Sequence, residues 1–156
     1  MSPVLRTLVF TVIMPGFWTV LLPYWVTGTP AGLKLRGVGL AGGALVVAGV
    51  ALYLLGAFWG FALRGQGTPA RIDPPKRLVI EGPYRLVRNP MHWGVTPVMM
   101  GEALLFRSVA LAEIAAAFCA STMLFVLLYE EPALRRAFGA QYEQYCRPVP
   151  CWIPRF

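Results

Sequence analysis

The sequence predicts an all-α, polytopic membrane protein, and its composition and segment pattern are the reasons. Of its 156 residues, 57% are hydrophobic and only 13% are charged, and the mean hydropathy is +0.60. A soluble domain carries about a quarter charged residues. Apolar segments recur along the chain, and several approach the roughly 20 residues that a helix needs to cross a bilayer. We therefore interpret residues 1–156 as a single membrane domain.

The apolar segments predict about four transmembrane helices. They run from about Val4 to Val26, Gly37 to Leu63, Met91 to Phe106 and Val109 to Tyr129. Pro15 and Pro23 interrupt the first, which membrane helices tolerate when neighbours satisfy the freed carbonyls. The second is rich in small residues, which favour close helix contact. The third is short, since roughly 16 residues cover only about 24 Å. Residues 1–63 would hold two spans, and residues 64–156 a long loop, two more spans and a C-terminal helix and tail.

The distribution of positive charge predicts the orientation. With the N-terminus inside, all of the 14 Lys and Arg residues except Lys34, Arg36 and Arg107 fall on the cytoplasmic side. Both termini are then cytoplasmic, and the net charge of +7 suits a partner bilayer with anionic head groups. Nucleic acid is not an expected partner, because no soluble basic domain is present. The Leu, Val and Ala content favours a prokaryotic plasma membrane.

A polar stretch, Gly82–Gly94, precedes the third span. Pro90 fits the first turn of a helix, and Asn89 before it fits the N-cap. The helix would then present its free N–H groups beside Arg88, which suits a carboxylate or a phosphate. The alternative is a capped helix whose arginines reach lipid head groups. His92 is the only His in the chain and makes no metal or haem site alone.

The loop before this stretch, from Arg64 to Arg77, is rich in Gly and Pro and unusually long. Loops of this length are more often functional than ordinary connectors. Gly65-x-Gly67 within it is a weak phosphate-binding signal, since no strand precedes it.

A carboxylate pair, Glu130-Glu131, closes the fourth span. Glu131 stands four residues before Arg135, the favourable order for a helical ion pair, whereas Glu130 has Leu134 at that spacing. Pro132 breaks the helical hydrogen bonding. This corner suits a cation, and the alternative is a pair of acids that simply reaches the interface.

The C-terminal segment predicts an amphipathic interfacial helix and a tail. Apolar side chains recur at helical spacing between charged ones, at Leu134, Phe138, Tyr142 and Tyr145. The alternative is a helix that docks a partner protein. The tail Val149–Pro154 could fold back over the polar stretch. The three cysteines lack CxxC spacing, so we interpret them as small apolar fillers and expect no metal site.

A family resemblance rests on motifs in order: Gly82-Pro83-Tyr84, Val87-Arg88-Asn89-Pro90-Met91-His92-x-Gly94, Glu130-Glu131, Phe138-Gly139-x-x-Tyr142-x-x-Tyr145 and Ile153-Pro154. From about Gly65 to the C-terminus, the chain resembles the superfamily of isoprenylcysteine carboxyl methyltransferases and phospholipid methyltransferases. The resemblance implies a membrane methyltransferase with S-adenosylmethionine bound at the cytoplasmic face. Loop 64–77 would then border the cofactor.

The resemblance also implies the site residues. Those near the cofactor would be Leu78, Tyr84, Arg88, Asn89, Pro90, His92, Gly94, Glu130 and Glu131, and the catalytic ones Arg88, Glu130 and His92. Many relatives have His where this chain has Asn89, and Tyr where it has His92. The main chain at Leu78 would lie near the adenosine, and the two glutamates near the ammonium or the ribose.

The sequence does not identify the methyl acceptor. A carboxylate would need no base, and Arg88 or Arg85 could hold it. An amine or a thiol would lose a proton to Glu130 or His92. The acceptor would be a membrane lipid or a lipophilic small molecule. The alternatives are a non-enzymatic assembly or lipid-binding protein and, less favoured, a membrane reductase; the sequence does not indicate an oligomeric state.

Overall fold

A computed structural model describes residues 3–28, 37–56 and 78–154, which are predominantly helical and contain no strand. The α-helices are α1 (Pro3–Gly16), α2 (Leu22–Thr27), α3 (Val38–Leu54), α4 (His92–Phe106), α5 (Val109–Phe125), α6 (Glu131–Phe138) and α7 (Ala140–Cys146). A 3-10 turn covers Gly82–Arg85. The predicted loop 64–77 and the end of the predicted second span lie outside the described residues.

The first predicted span is one continuous helical rod. A π-helical turn, Phe17–Leu21, joins α1 to α2. Pro23 stands in the first turn of α2, so the wider turn comes where proline cannot donate a helical hydrogen bond. The rod ends at Gly28, whose φ of +79° is accessible to glycine without strain.

The fourth predicted span has the same construction. A π-helical turn, Val126–Glu130, joins α5 to α6, and Pro132 stands in the first turn of α6. Two stretches, Leu8–Thr27 and Val109–Phe138, are long and apolar enough to cross a membrane by length and composition. The first covers most of the predicted span from Val4 to Val26, and the second contains the predicted span from Val109 to Tyr129. The helices in the predicted second and third spans are shorter, with 17 residues in α3 and 15 in α4. A total of four spans therefore stays a prediction.

Glycines bring α3 and α4 into close antiparallel contact. A Cβ on Gly42 would lie 2.6 Å from the Gly101 carbonyl oxygen, and one on Gly101 would lie 2.6 Å from that of Gly42. Seven residues further along α3, a Cβ on Gly49 would lie 2.6 Å from the Gly94 oxygen. The prediction that small residues mediate helix contact is confirmed here.

A two-residue link makes α4 and α5 neighbours. Arg107 ends α4 in the left-handed region, and the Ser108 side chain caps α5 by accepting from the Leu111 N–H at 3.3 Å. Because the helices then run in opposite directions, the start of α4 and the end of α5 lie at the same end of the molecule. This arrangement brings the two predicted polar segments together.

The prediction of a single C-terminal amphipathic helix is wrong. Gly139, with φ +51° and ψ −127°, separates α6 from α7. Tyr142 and Tyr145 are buried within the protein beside Val149, and Leu78 packs against the same cluster. The apolar spacing therefore reflects internal packing of two short helices. An interfacial position for α6 stays a prediction.

Candidate active site

An ion pair joins the two polar segments. Arg88 Nη2 lies 3.0 Å from Glu131 Oε1, and the two side chains are only 14% and 11% exposed. The sequence predicts opposite charges across one site, and this contact confirms that prediction. Burial at this level makes each charge depend on the other, because an uncompensated buried charge is costly.

Glu131 also contacts Arg135, as its spacing predicts. The distance from Arg135 Nη2 to Glu131 Oε2 is 3.9 Å, and Arg135 Nη1 lies closer, at 3.2 Å, to Glu143. Arg135 and Glu143 are exposed, so these contacts contribute little. The partly buried partner, Arg88, is therefore the principal counterion of Glu131.

Two of the cysteines belong to this polar site, so their interpretation as apolar fillers is wrong. Arg88 Nη1 donates to the Cys146 Sγ at 2.6 Å. Asn89 Nδ2 lies 3.4 Å from both the Sγ and the carbonyl oxygen of Cys151. Burial, then the Glu131 carboxylate, raises the pKa of the Cys151 thiol from its usual 9.0 to about 11. At neutral pH this thiol is protonated and is a poor nucleophile.

The Arg88 guanidinium stays charged in this setting. Burial lowers its pKa, but the Cys146 contact and the Glu131 carboxylate outweigh burial and raise the pKa above its usual value. A permanent cation is thus fixed beside a carboxylate.

The predicted N-cap at Asn89 is wrong. Helix α4 begins at His92, its N-cap residue is Met91, and no side chain caps it. Asn89 is buried, and its amide contacts Cys151 instead. Pro90 lies in the turn before the helix. The cause is a tertiary contact, because the Arg88 main chain and the Asn89 side chain bond to the tail rather than to the first turn of α4.

The tail folds back over this segment, as predicted. The Arg88 N–H donates to the Pro150 carbonyl at 3.0 Å, and Trp93 Nε1 donates to the Trp152 carbonyl at 2.7 Å. The rings of His92 and Trp152 are 5.7 Å apart. The tail thus adds main-chain and aromatic contacts to the start of α4.

A hydrogen bond from a tyrosine hydroxyl holds the 3-10 turn against α7. The buried Tyr145 hydroxyl donates to the Tyr84 carbonyl at 2.7 Å. Burial, followed by the nearby Glu130 carboxylate, raises the pKa of the Tyr84 phenol well above its usual range. Glu130 therefore lies within electrostatic range of Tyr84.

Gly94 serves the helix packing. A Cβ at this position would lie 2.5 Å from the Tyr53 Cβ, so only glycine fits against α3. Its predicted contact with a cofactor, like the cofactor roles of Leu78, Tyr84, Pro90 and His92, stays a prediction.

Three buried polar atoms have no hydrogen-bond partner among the described residues: Arg88 Nε, Glu131 Oε1 and Trp152 Nε1. The Glu131 oxygen is close to Arg88 Nη2, but the contact lacks hydrogen-bond geometry. We give the name Arg88 cluster to the contacting side chains of Arg88, Asn89, Glu131, Cys146 and Cys151, together with Trp152, which follows Cys151 in the tail and whose ring lies beside His92. Buried polar atoms are nearly always paired. The two donors without a hydrogen bond, and the Glu131 oxygen that is held only by its ion pair, can therefore contact a polar ligand.

A model of one protein family, described as phospholipid methyltransferase, matches residues 38–141, which is more than half of the chain. The chain belongs to this family. No curated protein and no solved structure matches it. The family lies in the same superfamily of membrane methyltransferases as the isoprenylcysteine carboxyl methyltransferases. The resemblance stated from the motifs is thereby confirmed.

Membership in the phospholipid methyltransferase family indicates a methyltransferase that acts on a lipid-related substrate. The family generally uses S-adenosylmethionine. Together with the apolar helices, it indicates an integral membrane protein. The matched region contains Arg88 and both glutamates but ends before Tyr142, so the Cys146 and tail contacts belong to the part outside the match.

Sequence reasoning missed Cys146, Cys151 and Trp152 as members of the site. Cysteine is a common small core residue, so its identity alone does not indicate a polar contact. One feature of the sequence does indicate Cys151 and Trp152. Both residues lie in the tail that is predicted to fold over the polar stretch. Among the described residues, no three His, Cys, Asp or Glu side chains are grouped to hold a metal ion.

Proposed function

We propose that this protein transfers a methyl group from S-adenosylmethionine to a lipid in the membrane, at the cytoplasmic face. The observation that carries the proposal is the set of buried atoms in the Arg88 cluster that make no hydrogen bond among the described residues. The amino-acid end of S-adenosylmethionine has a carboxylate and an ammonium group. Donors at Arg88 Nε and Trp152 Nε1 suit the carboxylate, and the acceptor at Glu131 Oε1 suits the ammonium.

When bound, S-adenosylmethionine supplies an electrophilic methyl group on a sulfonium. The chain's own contribution is to hold the amino-acid end still and to keep water away, and positioning alone supplies much of a rate enhancement. The tail residues that bond to Arg88 and Trp93 favour both tasks.

Within this proposal, a head-group amine suits the site better than a carboxylate. Arg88 directs Nη1 to Cys146 and Nη2 to Glu131, and Nε is assigned to the cofactor. Little of its guanidinium is left to bind an acceptor carboxylate. An amine must lose a proton as its nitrogen bonds to the methyl carbon, while the sulfur keeps the electrons of the broken bond. Glu130, at the end of the fourth span, is our candidate to accept that proton.

The activity test uses purified protein, S-adenosylmethionine with a labelled methyl group, and vesicles of native lipid extract. We expect label in the lipid fraction and a kcat about 100-fold lower for Glu130→Gln, since general bases contribute factors of this order. Glu143→Gln is the matched control, because Glu143 is exposed and lies in the adjoining helix. His92→Gln compares the other candidate base, and we expect a smaller loss. Absence of label from the lipid fraction would refute the methyltransferase activity. A fully active Glu130→Gln variant would refute the role of Glu130 as the base.

Cysteine labelling tests the prediction that the site lies on the cytoplasmic face of the membrane. Arg85 is exposed in the 3-10 turn. An impermeant maleimide should modify Arg85→Cys in inverted vesicles but not in intact cells, with the unsubstituted protein measuring reaction at the natural thiols. Labelling from outside intact cells would contradict a cytoplasmic site.

A further inference from the structure

A buried acid that the proposed chemistry does not use lies in α4. Glu102 is only 9% exposed, and it makes neither a hydrogen bond nor an ion pair with any other described residue. Arg107, the nearest cation along the chain, is exposed and does not pair with it. Unlike the three enclosed atoms of the Arg88 cluster, the Glu102 oxygens keep some accessible surface. An acid without a partner inside a membrane helix is costly, and such acids mark functional sites.

Helical geometry directs Glu102 into the bundle. Successive residues of α4 lie roughly 100° apart around the helix axis. Gly94 and Gly101 face α3, because a Cβ on either would touch that helix. Trp93 and Met100 are exposed and lie on the outer side. Glu102 is roughly 100° from Gly101 and roughly 160° from Met100, so it lies on the inner side of α4, next to the contact with α3.

The first span covers this inner side of α4. At one edge, Thr11 Oγ1 lies 3.2 Å from the hydroxyl oxygen of Tyr53 in α3. At the other edge, the ring centroids of Trp18 and of Phe118 in α5 are 5.1 Å apart. A span that touches both neighbours of α4 passes over the α4 face between them, and its π-helical turn does contact α4. Glu102 therefore faces the first span.

The π-helical turn lies at the depth of Glu102. Tyr53 marks roughly one level in both segments, since Thr11 contacts its hydroxyl and a Cβ on Gly94 would lie 2.5 Å from its Cβ. The first span and α4 run in the same direction, because the first span passes from the start of α4 to the middle of α5. Eight residues further on, roughly 12 Å, the first span reaches Thr19 and α4 reaches Glu102.

The π-helical turn has too few main-chain donors for its carbonyls. The Leu22 N–H donates to the Phe17 carbonyl, five residues back, and Pro23 has no N–H. The ordinary four-residue register holds within α2. Within the described first span, the Tyr24 N–H is therefore the one helical donor left for three carbonyls, those of Trp18, Thr19 and Val20. Only Val20 lies on the exposed side, so at least one carbonyl on the inner side has no donor.

We propose that Glu102 and the free carbonyls of this turn bind one alkali-metal cation inside the bundle. The groups without partners are all acceptors, so the missing partner is a cation and not an anion. Main-chain carbonyls at irregular helix turns bind Na⁺ in membrane proteins. One carboxylate balances one monovalent charge, which offsets the cost of holding either charge in the bilayer.

This cation site is separate from the Arg88 cluster. Glu102 lies ten residues, roughly 15 Å, along α4 from His92, and it is four residues from the end of α4 at Phe106. The cation therefore enters from the opposite end of the bundle. Main-chain oxygens supply most of its ligands, so the site needs no group of three acidic, His or Cys side chains, and the described residues contain none. The inference does not depend on methyl transfer, and its test needs no turnover.

The direct test is the effect of salt on thermal unfolding of the purified full chain in detergent. A ligand that binds only the folded state raises its stability. We expect a higher midpoint in sodium or potassium chloride than in choline chloride at the same ionic strength. Glu102→Gln keeps the shape of the side chain, removes its charge and should abolish this difference. Glu113→Gln, which changes an exposed acid in α5, is the matched control and should retain it.

A chemical probe follows the Glu102 carboxyl itself. Dicyclohexylcarbodiimide is apolar and adds to a protonated carboxyl: the acid oxygen bonds to the central carbon, the proton moves to a nitrogen, and no group leaves. Peptide mass spectrometry should show modified Glu102 in choline chloride. A cation at ten times its Kd should lower the rate of modification about tenfold. The little modification expected at the exposed Glu113 should be the same in all salts.

A proline substitution tests the carbonyls. Pro23→Ala supplies the missing N–H and should reduce both the salt-dependent stability and the protection of Glu102. Pro15→Ala is the matched control, because its new N–H would serve the Thr11 carbonyl, one turn before the π-helical turn. Equal reduction by both substitutions would show that the π-helical carbonyls are not ligands.

The remaining outcomes decide the inference. Wild-type midpoints that are equal in all three salts would overturn it, as would a salt effect that Glu102→Gln retains. Modification of Glu102 that neither Na⁺ nor K⁺ slows would show a protonated acid that binds no cation, and this result overturns it as well. If Glu102→Gln does not fold, protection of Glu102 in the wild type, compared with Pro23→Ala and Pro15→Ala, gives the decision.

Discussion

The α3–α4 interface and the Arg88 cluster lie next to each other but differ in what they leave unsatisfied. At the interface, glycines let two backbones approach until a Cβ would be 2.6 Å from a carbonyl oxygen. No room remains there for a ligand. In the Arg88 cluster, both side chains of the buried ion pair have an atom that makes no hydrogen bond among the described residues, as does the Trp152 ring. The closely packed α3–α4 interface therefore has a structural role. The polar atoms without hydrogen bonds indicate the candidate site.

The largest expected effect comes from breaking the ion pair. Arg88→Ala leaves the Glu131 carboxylate largely buried without its principal counterion, and we expect a loss of about 3 kcal/mol in unfolding free energy. Denaturant unfolding in detergent, followed by circular dichroism, measures this change. Arg85→Ala is the control, and an exposed arginine should change stability by less than about 0.5 kcal/mol. Equal stability of both variants would contradict the buried pair.

The glycine interface predicts a packing effect. Gly101→Ala places a Cβ 2.6 Å from the Gly42 oxygen, and overpacking of this kind costs about 1–3 kcal/mol. Gly43→Ala is a matched control on α3, because its nearest contact would be the Leu105 side chain at 4.0 Å. Thermal unfolding of both variants measures the difference. If Gly101→Ala unfolds at the same temperature as Gly43→Ala, the close approach of α3 and α4 is refuted.

A smaller effect is expected where α7 meets the 3-10 turn. Tyr145→Phe removes the hydroxyl that donates to the buried Tyr84 carbonyl, and an unpaired carbonyl costs about 1–2 kcal/mol. Tyr24→Phe, in the exposed part of α2, should leave the unfolding midpoint unchanged. A Tyr145→Phe protein as stable as wild type would show that the bond does not hold the turn.

The smallest effect concerns pH. Because the Cys151 pKa is raised to about 11, folding favours the neutral thiol. Its stabilising contribution is complete below the ordinary pKa of 9.0 and is lost as the pH rises through about 11. Alkylation of Cys151 by iodoacetamide, followed by peptide mass spectrometry, should be half-maximal near pH 11 in folded protein and near pH 9 after unfolding. Half-maximal reaction at the lower pH in both states would contradict burial of this thiol.

Much of the fold follows from local pattern. Length and hydropathy predict the helices, and prolines mark both π-helical turns because each removes a main-chain donor. Small residues in α3 indicate its close partner surface. The split at Gly139 was missed because the apolar spacing of Leu134, Phe138 and Tyr142 is compatible with one continuous helix.

The site is less accessible to sequence reasoning, since its contacts join distant segments. The charges of Arg88 and Glu131 predict a shared site, and the structure confirms their contact. The role of Asn89 could not be predicted locally, because its amide bonds to a tail 62 residues away instead of to its own helix. The same long-range contact brings Cys151 into the cluster.

The central claim is that the Arg88 cluster binds the amino-acid end of S-adenosylmethionine. Calorimetry in detergent tests it most directly by comparing S-adenosylhomocysteine, which has that end, with methylthioadenosine, which lacks it. We expect wild type to prefer the first ligand at least tenfold and Glu131→Gln to lose that preference, as removal of a charged hydrogen-bond partner predicts. Glu143→Gln should keep the preference. No binding of either ligand to wild type, or the same preference in Glu131→Gln, would contradict the claim.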